Sequence, residues 1–167
     1  MTIETPRLLM RPFQVEDATG MFLLNNDPEV IKYTGDPPFD SIDHARDFII
    51  NYRNHEQHGY GRMSVLLKST NEYIGWCGLS FNESTKETDI GFRLLQNHWN
   101  KGYATEAADA CLNYGFQLGL DKIIGRAVKE NAASIQVLKK VGMKFELEFF
   151  AHGFICEQYY IKSNDQN

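Results

Sequence analysis

The residues at positions 99–105 are the part of the chain whose types and spacing best suit chemistry. They read Trp-Asn-Lys-Gly-Tyr-Ala-Thr and lie between a predicted strand that ends near Leu95 and a predicted helix that begins near Gly102. A glycine permits backbone conformations and a close ligand approach that other residues do not. The first N–H groups of a helix lack intrahelical partners and lie at the positive end of its dipole, which suits a phosphate. Lys101 adds a formal positive charge, although an ordinary loop-to-helix junction remains the alternative.

Other common binding motifs are absent from the sequence. It contains neither the GxGxxG motif of dinucleotide-binding folds nor the GxxxxGK[ST] motif of P-loop nucleotide sites. His55 and His58 are separated by helical spacing but have no acidic or cysteine cluster beside them, so we predict no metal site. The three cysteines are widely spaced and form no CxxC pair, which argues against a disulfide scaffold or a zinc site.

Composition restricts the class of protein further. The chain has 167 residues, of which 43% are hydrophobic, so we expect one domain at 1–163 and a polar tail at 164–167. Its net charge of −5 argues against a nucleic-acid partner held by broad phosphate neutralisation. The apolar runs are far shorter than the ~20 residues that span a bilayer, so we expect no membrane partner. The start of the chain has no secretory h-region, and we therefore expect a cytoplasmic protein.

Hydrophobic periodicity and turn residues predict the elements that position these residues. The sequence predicts strands at 7–13, 63–68, 73–81, 88–95, 122–128, 144–150 and 154–161. It predicts helices at 15–26, 41–58, 102–118 and 132–141, and a helical turn at 29–33. This order favours an α+β fold with a mostly antiparallel sheet and a β-α-β-α unit in the second half.

Several segments in the same order resemble the GNAT N-acetyltransferases, and in particular the RimJ/RimL-like branch, which includes ribosomal-protein N-terminal acetyltransferases. The segments are Asp-Ile-Gly-Phe at 89–92, Trp-Asn-Lys-Gly-Tyr-Ala-Thr-Glu-Ala at 99–107, Glu-Asn-Ala-Ala-Ser at 130–134, Leu-Lys-Lys-Val-Gly-Met at 138–143 and Glu-Thr-Pro-Arg-Leu at 4–8. The resemblance implies a central mixed, mostly antiparallel sheet flanked by helices. That sheet would be splayed between strands 88–95 and 122–128, with acetyl-coenzyme A in the cleft.

The resemblance also implies a set of coenzyme-binding residues. The helix at 102–118 would bind the pyrophosphate, and the backbone of Leu94 and Leu95 would pair with the pantetheine arm and polarise the thioester carbonyl. Trp99 stands where the family often has Gln or Arg, so one side-chain phosphate donor is missing. The full set that the resemblance implies is Leu94, Leu95, Trp99, Asn100, Lys101, Gly102, Tyr103, Ala104, Thr105 and Asn131.

Two residues are the catalytic candidates that the resemblance implies. Ser134 would lie near the coenzyme sulfur and donate a proton to the leaving thiolate, and Asp89 would accept the ammonium proton through water. Structural interpretations stay open, because Asn131 is a good helix N-cap and Ser134 suits a first helical turn. For Asp89 the alternative, which we favour slightly, is a strand-end or substrate-holding carboxylate with no role in proton transfer. No base is required if the acceptor is an α-amine, whose ordinary pKa is ~7.7–8.0. Leu138 occupies the position at which many relatives carry a proton-donating tyrosine.

The implied function is transfer of an acetyl group from acetyl-coenzyme A, as a co-substrate, to a primary amine through a ternary complex without a metal. The acceptor would be a protein N-terminal α-amine or a small amine, bound by residues 26–58 and the final hairpin. Two alternatives stay open: detoxification of an amine antibiotic or polyamine, and a coenzyme-A-binding sensor without turnover. The resemblance also leaves a homodimer open.

Overall fold

The computed structural model describes Met1–Gln166, and these residues contain one sheet of eight strands. In chain order the strands are β1 (Ile3–Glu4), β2 (Leu8–Pro12), β3 (Arg62–Leu67), β4 (Tyr73–Asn82), β5 (Glu87–Leu94), β6 (Lys122–Val128), β7 (Lys144–Ala151) and β8 (Phe154–Lys162). They lie in the order β1-β2-β3-β4-β5-β6-β8-β7, and every neighbouring pair is antiparallel except β5 and β6. The prediction of a mixed, mostly antiparallel sheet is therefore confirmed.

Helices cover both faces of this sheet. They are α1 (Ala18–Asn26), α2 (Pro28–Ile31), α3 (Ile42–Asn51), α4 (Asn54–His58), α5 (Tyr103–Gln117) and α6 (Ala132–Lys140). Side chains alternate between faces along a strand, so Cys77 and Leu79 of β4 join the core beneath α5, whereas Trp76 and Ser80 face the side of α1 and α3. The sheet thus separates a large core under α5 and α6 from a smaller one under α1 and α3.

The single helix predicted at 41–58 is wrong, because the chain breaks it at Tyr52 and Arg53 into α3 and α4. Ser41 caps α3 as expected, since its hydroxyl accepts a hydrogen bond from the backbone N–H of His44 at 3.0 Å. Tyr52 leaves the helical conformation, packs its ring 5.0 Å from that of Phe13 and accepts a hydrogen bond from the Arg62 N–H at 2.7 Å. These tertiary contacts outweigh the local helical preference.

The sheet opens between β5 and β6. The two strands pair at Asp89 with Ile124 and at Ile90 with Gly125, and beyond Ile90 strand β5 remains paired with β4 alone. Parallel strands end at the same edge of a sheet, so the loops that follow β5 and β6 both lie at this gap. These loops lead into α5 and α6, and the two helices pack against each other.

The end of the described chain is tied back to the domain. Ser163–Asp165 forms a short 3-10 turn, and Asp165 accepts a hydrogen bond from the Lys144 ammonium at 3.2 Å. Asn167, the last residue of the predicted tail, lies outside the described residues. Within Met1–Gln166, every helix is too short or too polar to cross a membrane.

Asp17 is a buried carboxylate that joins β2, β3 and the start of α1. Both its oxygens accept hydrogen bonds from the Arg11 guanidinium, at 2.8 and 2.9 Å, and Oδ2 also accepts from Ser64 at 2.6 Å and from the Gln14 N–H at 2.9 Å. Burial raises the pKa of Asp17, but the hydrogen bonds from Arg11, Ser64 and Gln14 outweigh this effect and hold that pKa below its ordinary value. The ionised carboxylate therefore stabilises the fold.

We expect Asp17→Ala to lower the free energy of unfolding by about 3 kcal/mol, because it leaves the mostly buried Arg11 without its partner. A carboxylate with a lowered folded pKa stabilises above its unfolded pKa of about 3.9, and that contribution is lost as pH falls through the folded pKa. Urea unfolding from neutral pH to about pH 3 should show a larger acid loss in the wild type than in the variant, because the other carboxylates with lowered pKa titrate in both proteins. Glu16→Ala, at the exposed neighbouring position, is the control and should change stability by less than about 0.5 kcal/mol.

Candidate active site

The loop before α5 exposes the N-terminal end of that helix at the gap in the sheet. Asn100 and Gly102 both take left-handed conformations, with φ values of 60° and 81°. Glu106 donates the first intrahelical N–H, to the Gly102 carbonyl at 3.0 Å, which leaves the three preceding N–H groups without intrahelical partners. The N-cap is a glycine and has no side chain that could bond them. These donors belong to Tyr103, Ala104 and Thr105, as predicted.

Trp99 connects this loop to the end of β5. Its indole N–H donates a hydrogen bond to the Leu94 carbonyl at 2.8 Å, and about a third of the residue is exposed. The N–H of Leu95 points toward β4, where it bonds the Ile74 carbonyl at 2.8 Å. Backbone groups alternate in direction along a strand, so the N–H of Leu94 points the other way, into the gap left by β6.

An ion pair between the start of the chain and the first turn of α5 supports the same loop. Glu106 lies in the first turn of α5, and its carboxylate accepts hydrogen bonds from the Thr5 hydroxyl at 2.6 Å and from Arg7 Nε at 2.7 Å. Arg7 also donates to the Lys101 carbonyl at 2.8 Å, and its guanidinium lies 4.4 Å from the centre of the Tyr103 ring. A carboxylate here would repel a bound phosphate, and Arg7 offsets that repulsion.

The same ion pair changes the titration of Glu106. Burial raises the pKa of Glu106, but hydrogen bonds from Thr5 and Arg7 together lower it below its ordinary value. The salt bridge joins Arg7 to a residue 99 positions away, and nothing in the local sequence indicates this partner.

The start of α6 lies across the gap from the start of α5. Asn131 caps α6, because its side-chain oxygen accepts a hydrogen bond from the Ser134 N–H at 3.3 Å, so the structural interpretation of Asn131 is confirmed. Ser134 is partly exposed on the first turn, whereas Leu138 is buried in the core. The topology thus brings Ser134 and the loop before α5 to one edge of the sheet, and their chemical roles stay predictions.

Asp89 lies on the face of β5 that points away from α5, and an arginine holds its side chain in place. Its Oδ2 accepts a hydrogen bond from Arg62 at 2.8 Å, and the carboxylate is about one third exposed. Arg62 also bonds the carbonyls of Gly78 and Asp89, and its guanidinium lies 5.2 Å from the centre of the Trp76 ring. Asp89 is therefore one partner of an ordered ion pair, as well as the predicted base.

A cleft of about 420 Å³ lies on this face of the sheet, between strands β3 to β5, helices α1, α3 and α4, and the loop at 36–39. Arg93 lies three positions beyond Ile90, the last residue of β5 that pairs with β6. It lines the cleft and bonds Asn25 at 2.8 Å and Asp36 at 2.7 Å. Five aromatic rings also line it, namely those of Phe13, Phe39, Phe48, Tyr52 and Trp76. The cleft therefore lies on the face opposite α5, beside the gap in the sheet.

The acceptor side predicted at residues 26–58 agrees in part with the lining of this cleft, which also draws on β3, β4 and β5. The final hairpin reaches this region through its tip. Phe154 packs edge-on against Tyr33 at 5.7 Å, and a Cβ on Gly35 would lie 3.0 Å from the His152 ring. The hairpin thus supports the loop after α2 and contributes none of the described lining of the cleft.

The residues that the structure describes include no group of three or more His, Cys, Asp and Glu side chains that could hold a metal ion. His55 bonds the Arg62 carbonyl at 2.9 Å, and His58 lies 3.8 Å from the Glu83 carboxylate. Both histidines therefore have partners within the protein.

Known proteins resemble this chain along most of its length. The family model for the acetyltransferase (GNAT) domain matches residues 7–144. An uncharacterized N-acetyltransferase p20 of Bacillus licheniformis is 36% identical over 148 residues, which are 87% of this chain and 83% of that protein. The spermidine N(1)-acetyltransferase of Escherichia coli strain K12 is 27% identical over 152 residues, which are 90% of this chain and 80% of that protein.

Solved structures share the fold. A GNAT-family acetyltransferase from Bacillus anthracis superposes with a TM-score of 0.86 at 30% identity, covering 98% of this chain and 99% of that one. A ribosomal-protein-S5-alanine acetyltransferase from Vibrio fischeri has a TM-score of 0.84 at 15% identity, covering 100% and 99%, and this likeness concerns the fold alone. With the splayed sheet and the glycine loop before α5, these matches show that the chain belongs to the GNAT family of acetyltransferases and is an acyltransferase.

Proposed function

We propose that the protein transfers an acetyl group from acetyl-coenzyme A to a primary amine, by direct attack within a ternary complex. The observation that carries this proposal is the position of the Gly102 loop. It presents free N–H groups at the gap between β5 and β6, and a cleft for a second substrate lies on the other side of the same gap. Two substrates that approach from opposite faces of the sheet would meet there.

The described residues fit two parts of the coenzyme, its pyrophosphate and its pantetheine arm. The N–H groups of Tyr103, Ala104 and Thr105, with Lys101 beside them, would hold the pyrophosphate. The gap-facing backbone of Leu94 would pair with the pantetheine arm as an added strand does. Trp99 and Leu95 would act indirectly, because their N–H groups are already bonded within the protein and fix the shape of the loop and strand end.

Bound acetyl-coenzyme A supplies an activated acetyl thioester, and the chain supplies positioning and proton transfer. Positioning of two substrates can lower a barrier by ~7–11 kcal/mol, and one well-placed backbone donor to a developing oxyanion by ~2.7–4 kcal/mol. Ser134 would donate a proton to the leaving thiolate, directly or through water. Asp89 would accept the ammonium proton through water with the carboxylate oxygen that Arg62 does not hold, while Asn131 keeps the first turn of α6 in place.

The acceptor would be a protein N-terminal α-amine or a small amine. Membership of the RimJ/RimL-like branch is a further part of the proposal, and it rests on the sequence motifs at 4–8 and 99–107. A polyamine acceptor is the first alternative, since a relative is named a spermidine acetyltransferase. A sensor that binds the coenzyme without turnover is the second, and release of free thiol distinguishes it from an enzyme.

The direct test measures coenzyme binding and turnover together. Acetyl-coenzyme A at about 100 times its dissociation constant should raise the free energy of unfolding by about 2.7 kcal/mol. A panel of amines, including peptides with free N-termini, should then release coenzyme A thiol in an amine-dependent way. Stabilisation without thiol from any amine would support the sensor, and the absence of stabilisation would overturn the proposal.

We expect Gly102→Val to lower affinity for acetyl-coenzyme A by tenfold or more, a change of about 1.4 kcal/mol, because a β-branched side chain blocks close backbone approach. Gly119→Val is a matched control, since Gly119 has a similar φ of 91°, lies just beyond the other end of α5 and has open space around its Cβ position. Both variants should cost ~1–2 kcal/mol of stability from left-handed strain, and Gly102→Val also crowds the Arg7 guanidinium, which lies 3.2 Å from the Cβ position at residue 102. Equal affinity in the two variants, measured by calorimetry, would place the pyrophosphate elsewhere.

We expect Ser134→Ala to lower kcat by about 100-fold while KM for acetyl-coenzyme A stays nearly constant, because a proton donor acts on the leaving group. The fold should be preserved, since Asn131 caps α6 through the backbone N–H of residue 134, which alanine retains. Steady-state kinetics and a thermal melt measure the two effects. An unchanged kcat would remove Ser134 from the mechanism and leave water as the acid.

A further inference from the structure

The cleft on the α1–α4 face carries a connected aromatic wall. The Phe48 ring lies 6.3 Å from Phe13, 5.8 Å from Phe39 and 5.9 Å from Tyr52, while Phe13 and Tyr52 lie 5.0 Å apart. Phe48 is nevertheless 43% exposed, so the wall presents apolar surface to the cleft. Trp76 lines the cleft from β4. A ligand that covered these rings would gain from burying apolar surface.

The two carboxylates beside β5 are already paired within the protein. Asp89 is bonded to Arg62 at 2.8 Å, and Asp36 is bonded to Arg93 at 2.7 Å, so each of them has a guanidinium partner. Two further carboxylates lie near the cleft, and both are exposed at its rim: Asp40 lies 3.7 Å from the His44 ring, and Asp47 lies in a shallow hollow beside the cleft. A polyamine carries several positive charges and would need surplus negative charge at its site.

We propose that this cleft binds a primary monoamine that carries an aromatic or branched aliphatic group, and that it selects against polyamines. The inference deepens the proposed function and rests on it. The apolar group of this amine packs against Phe13, Phe39, Phe48 and Tyr52. Its amino group extends toward residues 91–94 of β5, which do not pair with β6. The carboxylates beside β5 are already bonded to Arg62 and Arg93, so this part of the cleft has no surplus negative charge for a second cation.

Phe48 is the residue that decides this specificity. It belongs to α3, and its neighbours Phe39, Phe13 and Tyr52 hold its ring from three sides. An aromatic side chain that is ordered by its neighbours and still exposed needs little reorganisation when a ligand covers it. Phe48 has no hydrogen-bonding group and does not touch the loop before α5, so its loss should affect the acceptor alone.

The test compares thiol release from acetyl-coenzyme A with 2-phenylethylamine, isoamylamine, ethanolamine and spermidine, supported by calorimetric binding of each amine. The two apolar monoamines should show at least tenfold higher kcat/KM than ethanolamine or spermidine, and should bind more tightly. Turnover that favours spermidine or ethanolamine would overturn the inference and leave the proposed function standing. Thiol release with a peptide that has a free N-terminus but with none of the four amines would overturn the inference alone, whereas release with neither, with coenzyme binding intact, would overturn both.

Variants test the wall itself. Phe48→Ala should raise KM for 2-phenylethylamine at least tenfold with little change in KM for acetyl-coenzyme A. Phe48→Leu keeps apolar packing and serves as the second variant if alanine disturbs the fold. Its KM for 2-phenylethylamine should lie between that of Phe48→Ala and that of the wild type. Phe150→Ala is the matched control, because Phe150 is 74% exposed on the edge strand β7, away from the cleft. Equal effects of Phe48→Ala and Phe150→Ala on the amine KM would overturn the role of the wall.

Discussion

The parallel pairing of β5 with β6 stops after Ile90, and the rest of the site depends on where it stops. Beyond Ile90, the backbone N–H and C=O groups of β5 that face β6 have no neighbouring strand, and such groups need another hydrogen-bonding partner. An extended arm that carries amides can provide it. Because the pairing ends early, the gap between β5 and β6 connects the two faces of the sheet. Elsewhere, continuous strand pairing separates these faces.

Two helix starts share this edge for a topological reason. Because β5 and β6 run parallel, the segments that follow them emerge on the same side, and each leads into a helix whose first turn faces the gap. One start, at Gly102, has no capping side chain and keeps its N–H groups free, whereas the other, at Asn131, uses its own side chain as a cap. The same local geometry thus leaves backbone donors free at one helix and bonds one of them to a side chain at the other.

Much of the sheet was predictable, because alternation of side chains and turn residues acts locally. The β4–β5 hairpin, the strand at Lys122–Val128 and the glycine before α5 all follow from neighbours within a few positions. The break between α3 and α4 did not, since Tyr52 departs from the helix to meet Phe13 and Arg62, which are distant in sequence. The residues of the loop before α5 are neighbours in sequence, whereas Ser134 reaches the same edge only through the parallel pairing of β5 and β6. The aromatic wall and the Arg7–Glu106 pair also depend on contacts that only the folded chain makes.

The Arg7–Glu106 pair has a consequence for the first residues of the chain. Thr5 and Arg7 lie beside the short edge strand β1, yet they neutralise a carboxylate at the mouth of the loop before α5. Trimming these residues, or displacing them with a bulky fusion, would leave that carboxylate facing any anion that approaches the loop. Arg7 is therefore part of the electrostatic environment of the loop before α5, although its own side chain lies at the surface and outside the core.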